Sequence, residues 1–212
     1  MYDRPRKQMV EKFVIQAGIQ DPQVIAAMQR VPRHLFVSPA MNHQAYNGGS
    51  LPIGYGQTIS HPTTVAYMSQ LMQITGGEKI LEIGTGSGYQ AAVLAEIGAK
   101  VYTIERIAGL ADQTRSLLEK LGYYSIAVKI GDGSIGWNEF APYQRIIVTA
   151  GAPAIPENLL NQLAEGGRML IPVGEGDQHY LQIIDKVDGD IVVKQENSRN
   201  FVPLVGEKGW AE

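Results

Sequence analysis

Lys79-Ile-Leu-Glu-Ile-Gly-Thr-Gly-Ser-Gly-Tyr89 is an apolar run that passes straight into glycines at alternate positions, Gly84, Gly86 and Gly88. Ile80, Leu81 and Ile83 suit a strand covered on both faces of a parallel sheet, and Ala91, Ala92, Val93, Leu94 and Ala95 suit a helix packed back onto it. Glycine at such a strand-to-helix turn allows positive φ and lets a ligand approach the backbone. The first-turn N–H groups of the following helix face the same space. The stretch therefore predicts an α/β fold, a doubly wound and mostly parallel sheet with helices on both faces, and a nucleotide-type cofactor at this turn.

The choice of cofactor narrows by spacing. A dinucleotide fingerprint carries its third glycine three residues after the second, where this chain has Tyr89. A P-loop needs Lys followed by Ser or Thr after its last glycine, where Tyr89-Gln90 stands. The next predicted strand, Lys100-Val-Tyr-Thr-Ile-Glu105, ends in a carboxylate placed to accept hydrogen bonds from ribose hydroxyls. A third, Ile126-Ala-Val-Lys-Ile130, runs into Gly131-Asp132-Gly133, whose carboxylate can take an adenine amino group. Spacing alone leads to an adenosine-type cofactor and stops there.

Leu81-Glu-Ile-Gly-Thr-Gly-Ser-Gly88, Glu105 and Gly131-Asp132-Gly133 together resemble the motifs of class I S-adenosylmethionine-dependent methyltransferases. Ahead of them lies Leu51-Pro-Ile-Gly-Tyr-Gly-Gln-Thr-Ile-Ser60. With Val31-Pro-Arg-His-Leu-Phe-Val37 and Phe201-Val-Pro-Leu204, the chain resembles protein-L-isoaspartate (D-aspartate) O-methyltransferases over almost its whole length. The Gly-Gln-Thr-Ile-Ser element is the specific part, because generic methyltransferases do not carry it.

The resemblance implies a Rossmann-like class I methyltransferase fold with S-adenosyl-L-methionine as cofactor and S-adenosyl-L-homocysteine as product. It implies Ser60 as the catalytic residue, beside the methyl group and the substrate carboxyl. Cofactor contacts would come from Gln57, Thr58, Ile59, Glu82, Gly84, Thr85, Gly86, Ser87, Gly88, Glu105, Arg106, Gly131, Asp132 and Gly133. The substrate would be the free carboxyl of L-isoaspartyl residues in damaged proteins and peptides. Its ester closes to a succinimide whose hydrolysis returns some normal aspartate. In similar proteins Val202-Pro203-Leu204 lies along the bound peptide. Thr63-Thr64 departs from the family pattern, where bulkier residues are usual.

Several of these residues also have a purely structural reading. Ser60 precedes His61-Pro62 and a helical pattern, so its hydroxyl is a natural N-cap, a role that can coexist with catalysis. Glu82 could cap turn amides, Glu105 could be a strand-end surface charge, and Asp132 could stabilise its own turn. Tyr46 and Tyr55 could line a peptide groove or simply pack a loop. Thr149-Ala-Gly-Ala-Pro153 lacks the Asp/Asn-Pro-Pro-aromatic element of base-modifying methyltransferases. The alternatives are a methyltransferase acting on a small molecule or a nucleic acid, a non-catalytic S-adenosylmethionine sensor and an NAD-dependent oxidoreductase.

With 212 residues, 44% hydrophobic and 18% charged, the chain suffices for one methyltransferase domain. Residues 1–78 are expected as a helical cap and substrate loop, and 79–212 as the cofactor-binding core with closing antiparallel strands. A net charge of −3 gives no global positive field, so neither nucleic acid nor a membrane is an expected partner. Arg4, Arg6 and Lys7 suggest a solvated, partly frayed end. The absence of cysteine excludes disulfides and thiol catalysis, and the four histidines lack metal-ligand spacing, so no metal is expected. With no signal-peptide core after Met1 and no apolar run near the ~20 residues of a membrane span, a cytoplasmic protein is expected. A monomer is the preferred state, though no sequence feature sets it.

Further elements follow from periodicity. Helices are predicted over 7–17, from Asp21-Pro22 to Val31, over 61–74, 108–121 and 155–163. Residues 42–60 show no helical period and four glycines, Gly48, Gly49, Gly54 and Gly56, which marks a long functional connection. Strands are predicted over 145–149, 168–173, 180–185 and 191–195, with Asp188-Gly189 as a hairpin turn.

Overall fold

The computed structural model describes residues 2–175, 178–199 and 201–211. Helix α1 (Asp3–Val10) continues as a π-helical turn through Glu11–Ile15, and α2 spans Pro22–Arg30. Asp21 caps α2, its carboxylate accepting from Gln23 N at 2.8 Å, with Pro22 in the first turn. The N-terminus is helical from Asp3 rather than frayed. Arg6 pairs with Asp3 at 2.6 Å, and the Tyr2 ring stacks on His34 with centroids 4.0 Å apart. The buried Arg33 ties this cap to the core by donating to Ala45 O at 2.9 Å and Gly49 O at 3.0 Å, with its guanidinium over the Tyr89 ring.

The connection predicted over 42–60 contains local structure. A 3₁₀ turn ends at Gln44, and strands β1 (Leu51–Gly54) and β2 (Gln57–Ile59) pair as an antiparallel hairpin. Four and three residues are too few for alternation to show in sequence. Helix α3 (Pro62–Leu71) follows, and its N-cap is His61, whose Nδ1 accepts from Thr63 N at 3.1 Å. Ser60 is thereby left out of the capping role that its sequence position suggests.

The main sheet is built from β3 (Lys79–Ile83), β4 (Lys100–Glu105), β5 (Ile126–Ile130), β6 (Tyr143–Val148), β7 (Leu163–Glu175), β8 (Gln178–Val187) and β9 (Asp190–Arg199). Its order is β5-β4-β3-β6-β7-β8-β9, parallel through β7 and antiparallel beyond it. Helices α4 (Tyr89–Glu96) and α5 (Ala108–Lys120) make the crossovers on one side, and the short α6 (Glu157–Gln162) packs on the other. Ile80, Val101 and Ile147 face a core shared with the N-terminal cap and α4. Leu81, Ile83 and Val148 face a second core that takes in Leu159 and Leu204. Asp188 and Gly189 both have positive φ, 54° and 83°, as the predicted two-residue hairpin turn requires.

Two arginines fasten α3 to the sheet at the helix's carbonyl end. Arg145 on β6 donates to Met72 O at 2.6 Å and Gln73 O at 3.1 Å. Arg168 on β7 donates to Leu71 O at 3.0 Å and holds Asp185 with two bonds of 2.6 and 3.0 Å. Cationic donors at a helix C-terminus satisfy orphan carbonyls and complement the helix dipole. Arg145→Leu retains bulk but removes these bonds, and should cost about 1–3 kcal/mol in urea unfolding. An unchanged midpoint would show that solvent caps α3 equally well.

Candidate active site

The carboxyl ends of β3, β4 and β6 open onto a cleft of about 1050 Å³ including its mouth. At this point the sheet order reverses, because β4 lies on one side of β3 and β6 on the other. The glycine turn after β3 forms one wall. Gly84, Gly86 and Gly88 all have positive φ, and space constrains them as well. A Cβ on Gly84 would meet the Thr149 hydroxyl, and one on Gly88 would lie 2.7 Å from the Thr114 methyl. Thr149 Oγ1 donates to Ile83 O and Gly84 O, both at 2.9 Å, which holds the end of β6 against this turn.

Glu105, only 6% exposed, reaches across from the end of β4. One carboxylate oxygen accepts from Gly86 N at 3.0 Å and the other from Ile107 N at 3.0 Å. Each oxygen keeps a second lone pair for a ligand hydroxyl. Glu82 is handled differently. It is fully buried and does not line the cleft. Thr103 Oγ1 donates to its Oε2 at 2.6 Å, while its Oε1 has no partner among the described residues. Burial pushes its carboxyl up to about 8, against the pull of the Thr103 bond and with further help from the nearby Glu105 charge. Thr103 Oγ1 also meets Thr85 Oγ1 at 2.7 Å, and Thr85 does line the cleft. A threonine relay thus connects the buried acid to the cavity wall.

Of the residues expected from sequence, 57–60, 84–87, 105, 106 and Gly133 line the cleft. Glu82, Gly88, Gly131 and Asp132 do not. Asp132 spends its carboxylate on Ser134 N (2.8 Å), Ser134 Oγ (2.7 Å) and Glu207 N (2.7 Å). Burial alone would raise its pKa, but these bonds outweigh it and hold the carboxyl below the ordinary value. Ser60 lines the cleft, and its hydroxyl makes no hydrogen bond to a described residue. Of the Thr63-Thr64 pair, Thr63 donates to Phe13 O at 2.6 Å and Thr64 faces the cleft. Tyr46 is buried and bonded to His34, and Tyr55 sits at the tip of the β1–β2 hairpin, so neither lines the cleft.

Sequence reasoning missed Val65, Ile104, Thr149, Ala150, Phe201 and Val205 in the wall, and only the resemblance drew attention to Val202-Pro203-Leu204, as a segment along the peptide. The C-terminal segment docks beside β6, with Gly151 N donating to Val202 O and Leu204 N to Gly151 O, both at 2.7 Å. The strand-end position of Thr149 was an available signal. A contact spanning fifty residues leaves none.

A family model described as Protein-L-isoaspartate(D-aspartate) O-methyltransferase (PCMT) matches residues 4–209. The chain belongs to this family. It is 51% identical over 210 residues to the protein-L-isoaspartate O-methyltransferase of Geobacter metallireducens, covering 99% of this chain and 97% of that protein. Its counterpart in Desulfosudis oleivorans is 51% identical over 212 residues, covering 100% and 96%. A solved protein-L-isoaspartate O-methyltransferase superposes with a TM-score of 0.87 at 27% identity, over 96% of this chain and 67% of that one. A Plasmodium falciparum PCMT structure in complex with S-adenosyl-L-homocysteine gives 0.82 at 23% identity, over 94% and 98%, and shares the fold.

The elevated Glu82 pKa has a consequence for stability. The unfolded chain ionises near the ordinary value of 4.5, whereas the folded protein holds the proton until about pH 8. Unfolding between these limits releases a proton, so this residue's contribution to stability falls as pH rises across the window. In the ligand-free protein, Glu82→Gln should remove that component. The Tm difference between variant and wild type should grow in the variant's favour from pH 5 to pH 8, as read by thermal melts. A constant difference would mean that Glu82 ionises normally.

Proposed function

We infer that this chain is a protein repair methyltransferase that transfers a methyl group from S-adenosyl-L-methionine to the free carboxyl of L-isoaspartyl residues in damaged proteins and peptides. The observation that carries this reading is the Gly-Gln-Thr-Ile-Ser hairpin, specific to this family, placed with Ser60 in the wall of a cleft at the sheet's switch point.

The residues present fit the cofactor. Glu105 stands at the β4 end, where ribose hydroxyls can donate to it, Ile104 and Val65 provide apolar wall, and Gly84 and Gly86 leave the backbone open. The Thr85–Thr103–Glu82 relay ends in an orphaned carboxyl oxygen, the one unsatisfied acidic group beneath the cleft among the described residues. Bound S-adenosyl-L-methionine supplies an electrophilic methyl group on a sulfonium and departs as S-adenosyl-L-homocysteine.

An α-carboxyl with a pKa of roughly 3.3 to 3.7 is already ionised at neutral pH, so the protein needs no general base. Its task is alignment and exclusion of water. Ser60 is suited to orient the carboxylate, because His61 performs the capping of α3 and leaves the Ser60 hydroxyl available. Residues 201–205 and strand β2 of the hairpin both line the cleft, where they can contact a peptide and keep the reacting atoms dry. The proposal also takes the protein as a cytoplasmic monomer that acts on neither nucleic acid nor membrane. The net charge of −3 supports only the last two points. Among the described residues no helix is long and apolar enough to cross a membrane.

Incubation with methyl-labelled S-adenosylmethionine and two matched peptides should place base-labile label on the L-isoaspartyl peptide and none on the L-aspartyl one. Label on neither, with cofactor binding intact, would point to a small-molecule acceptor. Ser60→Ala removes a hydrogen bond to a charged group and should lower kcat about 10- to 100-fold while cofactor Kd stays within about twofold. Equal losses in both would make Ser60 structural.

A further inference from the structure

The tip of the β1–β2 hairpin is built against local preference. Gly54, Tyr55 and Gly56 have φ of 93°, 53° and 70°. Glycine adopts the left-handed region freely and asparagine readily, whereas a tyrosine there is strained. Tyr55 is 51% exposed, so apolar burial does not account for it. What it does make is a contact with α5. Gln113 Nε2 donates to Tyr55 Oη at 3.2 Å, and the ring rests in a gap at Gly109 that a Cβ would fill.

The same helix holds the glycine turn. Thr114, adjacent to Gln113, donates to Gly86 O at 2.7 Å. The hairpin in turn roofs that turn, since a Cβ on Gly86 would lie 3.6 Å from Ile53 Cδ1. Residues 57–59 on the hairpin's second strand form part of the cleft wall. Glycine turn, hairpin and α5 therefore close into a ring around one side of the cleft, with Tyr55 as the joint between hairpin and helix.

We propose that Tyr55 is a positioning residue that latches the β1–β2 hairpin onto α5 at Gly109 and Gln113, and so sets how long the adenosyl cofactor and its product stay bound. A ligand seated between the glycine turn and residues 57–59 leaves this side of the cleft when the hairpin lifts, and lifting breaks the Tyr55 contact. The left-handed backbone of a tyrosine is the local cost of placing that ring on the helix. The inference rests on the cleft being the S-adenosylmethionine site.

Tyr55→Asn and Gly109→Ala test it from opposite sides. Asparagine suits the turn better than tyrosine, and alanine suits a helix better than glycine, so neither change should weaken the fold. Stopped-flow release of S-adenosyl-L-homocysteine should quicken about fivefold or more in both variants. KM for S-adenosylmethionine should rise, and ligand-free Tm should hold or increase. Release within about twofold of wild type in both variants would overturn the latch. Faster release accompanied by a lower ligand-free Tm in both would assign Tyr55 to folding and overturn it as well. Wild-type protein that binds neither S-adenosyl ligand would overturn the reading of the cleft itself, which separates that failure from failure of the latch.

Discussion

Glu105 joins the two strand ends on which the cleft depends. Because β3 has β4 on one side and β6 on the other, the chain departs in opposite directions and a crevice opens above its carboxyl end. An open crevice lined by backbone amides would be poorly defined. Glu105 closes it by accepting from Gly86 N and Ile107 N at once, so the glycine turn is set relative to β4 and the start of α5. Charge-assisted bonds to two amides offset the cost of holding a carboxylate at 6% exposure. The turn is then fixed before a ligand arrives, and binding has less disorder to remove.

Glu82 and Glu105 lie close enough to influence each other, yet the protein treats them in opposite ways. Glu105 has amide donors on both oxygens. Glu82 has a single hydroxyl donor and an orphaned oxygen in a fully buried position, so desolvation dominates and its carboxyl holds a proton at neutral pH. The buried acid meets the cleft only through Thr103 and Thr85 and not by direct exposure.

The opening is bounded by segments far apart in the chain. The hairpin comes from the N-terminal region, and residues 201–205 come from the other end. Asp132 secures the latter at a distance from the cleft by accepting from Glu207 N, while Trp210 Nε1 donates to Gly151 O at 3.0 Å. Gly206 lies so close to the Asp132 carboxylate that a Cβ would not fit. The carboxylate that the sequence suggests for adenine is thus used to anchor the C-terminal segment.

The sequence by itself determined the elements whose local pattern is long or distinctive enough to read. The apolar strands at 79–83, 100–105 and 126–130, the glycine turn, and the Asp188-Gly189 hairpin are legible because each reports a burial or backbone requirement within a few residues. The adenosine-type reading rests on the same locality. Only the tertiary structure decided that His61 rather than Ser60 caps α3, that Asp132 turns toward the C-terminal segment, that Glu82 lies beneath the cleft and not in its wall, and that Tyr55 reaches α5. Each is a choice among hydrogen-bond partners of similar chemistry. Side-chain direction and long-range packing make that choice, and neither leaves a period in the sequence.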